Sequence, residues 1–159
     1  MFNNSLESFL AQPYDCLVLA NPQIQILDEI SERIQSLGIK HLNVGKELSA
    51  NLLTIAADTR SRFSQNWLLE AVASFQNSPL LCTYLDLMFD PSFTIDPFSI
   101  FRQAARTKQI IVLWPGEYVN NMLSYAIPEH HHYRTWKITE SLTRQPLILI
   151  HQIPTAQGV

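Results

Sequence analysis

A chain of 159 residues is long enough to bury most of its apolar surface around one core, so a second domain is not expected. Its 47% hydrophobic and 16% charged residues exclude a disordered or fibrous chain, and four glycines leave little material for glycine-rich loops. The net charge of −3, with ten acids against five bases over residues 1–90 and four against six over 91–159, excludes a strongly basic surface.

The opening MFNNSLESFLAQ has no basic stretch ahead of an apolar one, and no run approaches the roughly 20 apolar residues of a membrane span. A cytoplasmic protein without membrane association is the expectation. Cys16 and Cys82 fall inside apolar runs with no C-x-x-C or ligand spacing, and read as buried thiols.

In chain order, residues 5–11 predict a short amphipathic helix stopped before Pro13. CLVLA (16–20) predicts a buried strand. After Asn21-Pro22, Ile24, Leu27, Ile30, Ile34 and Leu37 recur at three and four, the period of a helix, and Gly38 sits where a left-handed cap belongs. HLNV (41–44) predicts the second strand. Residues 47–55 and 58–76 predict two helices, the second placing Leu68, Val72 and Phe75 on one face. Residues 80–85 form the third strand, and Asp96-Pro97 opens a helix over 97–106 that buries Phe98, Phe101 and Ala105. IIVLW (110–114) is the fourth strand. Beyond it, Asn120-Asn121 is a turn signal, residues 123–127 and 133–138 predict a small β excursion, and residues 147–150 form the fifth strand. Residues 154–159 read as a disordered tail, leaving 1–153 as one domain.

Strands joined by helices run parallel, and open parallel sheets place function at the carboxyl ends of their strands. Those ends are residues 86–92, residues 114–118 and the loop after Ala20. A strand, a loop and a helix at the start of a five-stranded parallel sheet is the layout of a P-loop nucleotide-binding domain. Cradling phosphate needs glycines so that amides converge, a lysine, and a Ser or Thr for magnesium. The loop here is Ala20-Asn21-Pro22-Gln23-Ile24-Gln25, with none of the three, and Pro22 removes a donor.

Five segments in order carry a family resemblance: GIKHLNVGKELSANLL (38–53), LMFDPSF (87–93), DPF (96–98), IIVLWPGEY (110–118) and LSYAIPEHHHYR (123–134). Together they resemble BrxF, the small P-loop protein of the type 3 BREX phage-defence systems of bacteria. The resemblance implies a glycine-rich phosphate loop with Gly-Lys-Thr after the first strand and an Asp-Asn pair closing the third. The sequence departs at both places: the phosphate loop is replaced, and Thr83 and Tyr84 stand where the acidic pair falls. Thr83 supplies neither charge near magnesium nor a base for water.

Asp86 and Asp90 are the residual metal candidates. Against them, Asp90 before Pro91-Ser92 is a turn former and Asp86 reads as an exposed strand-end carboxylate. Glu47, beside Asn43, reads as opening a helix through its dipole. His130, His131 and His132 lack an acidic or cysteine partner at ligand spacing and read as a surface loop whose rings need not converge. Trp114-Pro115-Gly116, with Glu117, is either a docking anchor or the closure of the core. Tyr133, Arg134, Trp136 and Lys137, with Arg144 beyond, interleave aromatics and bases as a weak nucleic-acid patch would.

The expectation is therefore an α/β, three-layer, P-loop NTPase-like domain with no cofactor, no metal and no catalytic residue. Its expected role is a pseudo-NTPase subunit of a BREX-like defence complex, with other defence proteins, weakly bound nucleic acid or further copies of itself as partners. The alternatives are an NTPase completed by a partner and a nucleic-acid adaptor.

Overall fold

The computed structural model describes residues 2–11, 14–76, 78–126 and 129–155. The chain opens with α1 (Phe2–Ala11), and the first apolar run forms β1 (Cys16–Ala20), buried at every position. α2 (Ile24–Ser36) follows, and Gly38 just beyond it has φ 87, the left-handed conformation that glycine takes without strain. β2 (Lys40–Asn43) passes directly into α3 (Val44–Leu52), so the helix begins at Val44 and not at Glu47. The cause is Asn43, whose Oδ1 accepts the Lys46 N–H at 2.9 Å and caps the helix, ending the strand before Val44.

A 3₁₀ turn (Ala57–Thr59) precedes α4 (Arg60–Ser74). β3 (Leu80–Thr83) stops short of the expected Leu85 because Tyr84, at φ 58, turns the chain out of the sheet. Two more 3₁₀ turns, Asp86–Phe89 and Pro91–Phe93, lead to α5 (Pro97–Ala104). The Asp96 carboxylate accepts the Ser99 N–H at 3.2 Å with Pro97 in the first turn, as the sequence predicts. β4 (Ile110–Trp114) has the predicted bounds. The excursion then forms β5 (Tyr118–Val119), β6 (Met122–Tyr125) and β7 (Arg134–Lys137), and α6 (Glu140–Arg144) leads to β8 (Ile148–Gln152). Ile127, expected in the excursion, lies outside the described residues. So do residues 156–159 of the expected tail; Pro154 and Thr155 are exposed and in no helix or strand.

The five strands β2-β3-β4-β1-β8 form one parallel sheet in that order, and β5-β6-β7 form a separate antiparallel sheet. Alternation along the strands divides the core in two. Leu17, Leu19, Leu81, Ile111 and Leu113 face α1 and α2, meeting Leu6, Phe9, Leu27, Ile30 and Ile34. Cys16, Val18, Cys82, Val112 and Trp114 face the other way, onto Leu48, Leu68, Val72, Phe98 and Phe101 of α3, α4 and α5. Helices thus cover both faces, an arrangement compatible with the three layers expected. The small sheet joins the second core through Leu123 and Tyr125, so it packs on that same side.

Candidate functional site

The segments leaving the neighbouring strands β1 and β4 diverge: α2 covers one face of the sheet, and β6 and β7 pack on the other. Open parallel sheets bind ligands where the chain diverges in this way, beyond the carboxyl ends of the strands. The crevice there is lined by Ile24, Leu27, Asp28, Ser31, Thr83, Tyr84, Asp86 and Pro115. It encloses about 10 Å³, room for about one water molecule.

Residues 21–23 alone connect β1 to α2, and they are already engaged. Asn21 is buried; its Nδ2 donates to the Ile153 carbonyl at 2.8 Å and its Oδ1 accepts the Gln23 N–H at 2.7 Å. Its backbone N–H donates to the Trp114 carbonyl at 3.1 Å, and the Ile153 N–H donates to the Ala20 carbonyl at 2.8 Å. One asparagine therefore ties β1, β4 and the exit of β8 together. A phosphate loop of the G-x-x-x-x-G-K-[ST] type needs enough chain to curl back so that its amides converge. Three residues crossing straight to a helix do not supply it; Gln23, Ile24 and Gln25 are exposed, Ile24 at the rim of the crevice.

At the exit of β3, Thr83 is buried and its Oγ1 lies 2.6 Å from His41 Nε2. Burial holds the His41 imidazolium below its ordinary pKa. Tyr84 donates its hydroxyl to Asp28 Oδ1 at 2.6 Å, and that bond raises the phenol's pKa. Gly45 sits under the Tyr84 carbonyl, where a Cβ would come within 2.9 Å.

Asp86 is exposed, as expected, but stands in the turn after the strand and accepts the Tyr125 hydroxyl at 3.0 Å. Asp90 accepts both the Ser92 N–H at 2.9 Å and the Ser92 hydroxyl at 2.8 Å, which lower its carboxyl pKa. It is the turn former that the sequence predicts. Among the described residues, no three His, Cys, Asp or Glu side chains are grouped to hold a metal. Glu47 is exposed in the first turn of α3. The three histidines lie on the surface loop that the sequence predicts, with their rings close together: His131 and His132 have ring centroids 4.4 Å apart, and His130 stacks on His131 at 5.2 Å. A turn folds them together, and His130 Nδ1 accepts the His132 N–H at 3.0 Å.

Trp114 is fully buried, so it closes the core and offers no anchor to a partner. Its Nε1 donates to the Ser124 carbonyl at 2.8 Å, and its ring meets Phe89 and Trp136 edge-on at 5.1 and 5.4 Å. Pro115 and Gly116 are buried as well, leaving Glu117 exposed. Tyr133 is exposed. Arg134 donates to the Ile95 carbonyl at 3.0 Å and lies 4.9 Å over the Trp136 ring. Strand alternation puts Arg134 and Trp136 on one face of β7 and Lys137 on the other, and Arg144 pairs with Glu140. The interleaved bases thus do not share one surface.

The sequence shows which groups the turn after β1 lacks. It does not show what fills their place, because the partner of Asn21 is 132 positions away. No protein-family model, curated protein or solved structure matches the chain.

Proposed function

We propose that the chain is a P-loop-derived domain without nucleotide turnover, acting as an assembly or regulatory subunit of a BREX-like anti-phage defence complex in the bacterial cytoplasm. The observation that carries this reading is the three-residue connection after β1, closed by the Asn21 side chain at the carboxyl edge of a parallel sheet. Kinship to P-loop domains draws support from the opening strand, turn and helix on a five-stranded parallel sheet, and from the ordered segments that resemble BrxF. Loss of turnover draws support from the exit of β3, which carries Thr83 and Tyr84 where the resemblance to BrxF implies an acidic pair.

Isothermal titration with ATP and magnesium tests the reading. No heat of binding is expected, and micromolar affinity overturns it. Co-purification from the native host tests the defence assignment, with other proteins of the same defence system expected on the bait.

A second reading, an NTPase completed by a partner, has one observation in its favour: Asp28 and Asp86 line the crevice and carry negative charge into it. It predicts hydrolysis that appears only when partner proteins are added and that falls with Asp86→Ala. Reconstituted mixtures indifferent to Asp86→Ala remove it.

A further inference from the structure

α4 buries Ser64, Leu68 and Val72 against the sheet. The flank of α4 next to that row is only partly solvated, because Phe63, Trp67 and Ala71 pack one side onto the core. Phe63 and Trp67 are half-buried there, flanked by exposed Arg62, Asn66 and Glu70. With Ile55 they line an open groove of about 300 Å³, and a second hollow of about 490 Å³ continues from Trp67 to Ala71 and Phe75. Phe63, Trp67 and Ala71 recur every four residues, so they form one stripe along the helix.

The row beside the stripe, Arg62, Asn66 and Glu70, carries opposite charges at its two ends. Arg62 and Glu70 stand about 12 Å apart along the axis, at ~1.5 Å per residue, too far to pair with each other. Among the described residues neither forms an ion pair within the chain. A groove with a base at one end, an acid at the other and aromatics alongside is complementary to its own copy turned end for end.

We propose that this face binds a second copy of the chain, with two α4 helices packing antiparallel about a two-fold axis near Asn66. A two-fold contact uses the same patch on both subunits and so requires self-complementarity. In that arrangement Arg62 of each copy meets Glu70 of the other, Phe63 and Trp67 of both copies merge into one apolar patch, and Ala71 leaves room for the opposing aromatics. A different protein would have to bring its own acid and base at matching spacing, whereas the copy carries them already. The inference rests on the surface of α4 and is independent of the proposed function.

Analytical ultracentrifugation of the full chain over micromolar concentrations is the test, with a reversible dimer expected. Arg62→Glu and Glu70→Arg each place like charges together and are expected to raise the dimer dissociation constant about a hundredfold or more, with unchanged far-UV circular dichroism. Mixed in equal amounts, the two single variants are expected to pair, because each supplies the charge that the other lacks. The double variant Arg62→Glu/Glu70→Arg is expected to dimerise with itself near the wild-type constant. A wild-type chain that stays monomeric, single variants that dimerise unchanged, or a mixture that fails to pair overturns the proposal.

Discussion

Asn21 satisfies groups on two separate segments with a side chain that reaches no solvent. Asn21→Ala leaves the Ile153 carbonyl with the Gln152 Nε2 donor at 3.0 Å but the Gln23 N–H without its partner, and an unmet group of that kind costs about 1–3 kcal/mol. A loss of about 2 kcal/mol in urea unfolding is expected, with the fold retained. A second residue-scale expectation concerns pH. Burial lowers the pKa of His41 in the folded chain below the ordinary value of about 6.5, so the unfolded chain binds more protons over that window. Stability contributed by neutral His41 is present above pH about 6.5 and is lost as pH falls through the folded pKa. Urea midpoints measured down through this range should fall, and His41→Gln should flatten the slope. The thiols are simpler. Cys16 and Cys82 are completely buried, which raises both pKa values, that of Cys82 to about 12. Iodoacetamide should spare both in the native chain at pH 8 and label both after unfolding.

Among the elements, the buried runs were legible from sequence, because a strand covered on both faces is apolar throughout and needs no pattern beyond that. CLVLA and IIVLW form strands with the bounds that composition alone predicts. The boundaries that moved were set by single residues acting on the backbone: the Asn43 cap began α3 early, and Tyr84 at positive φ cut β3 short. Such effects depend on local geometry and leave no periodic signal. The Asn120-Asn121 turn was legible, since two adjacent asparagines favour the paired left-handed conformation of a tight hairpin. Both have positive φ, 53 and 61, between the paired Val119 and Met122. Asn121→Val should cost about 1–2 kcal/mol by forcing a branched residue into that conformation. Gly116, in the Trp114-Pro115-Gly116 segment that the sequence offers either as a docking anchor or as the closure of the core, lets two backbones approach. A Cβ there would lie 1.7 Å from the Ser124 carbonyl oxygen, and that backbone has nowhere to retreat beside Trp114.

At the scale of the molecule, the small antiparallel sheet is the part least determined by its sequence pattern, since its strands are short and partly exposed. What fixes it is attachment at several points to the larger sheet and to the segment between β3 and α5. Trp114 donates to the Ser124 carbonyl, the Tyr118 N–H donates to Gln152 Oε1 at 2.7 Å, the Tyr125 hydroxyl reaches Asp86, and Arg134 reaches the Ile95 carbonyl. Phe89 fills the space among these ties, stacked on Tyr125 at 3.9 Å and edge-on to Trp114 and Trp136. If the two sheets share one core in this way, they unfold together. Thermal melts followed by near-UV circular dichroism, which reports the aromatic cluster, and by far-UV circular dichroism, which reports the helices and the larger sheet, should give coincident midpoints. Phe89→Ala removes a fully buried ring at a cost of about 3–5 kcal/mol and should lower both midpoints by the same amount. An aromatic signal lost first, with the helical signal persisting, would make the excursion a separate unit. The one-domain expectation for residues 1–153 would then fail, and Trp114 would be closing the core of the larger sheet alone.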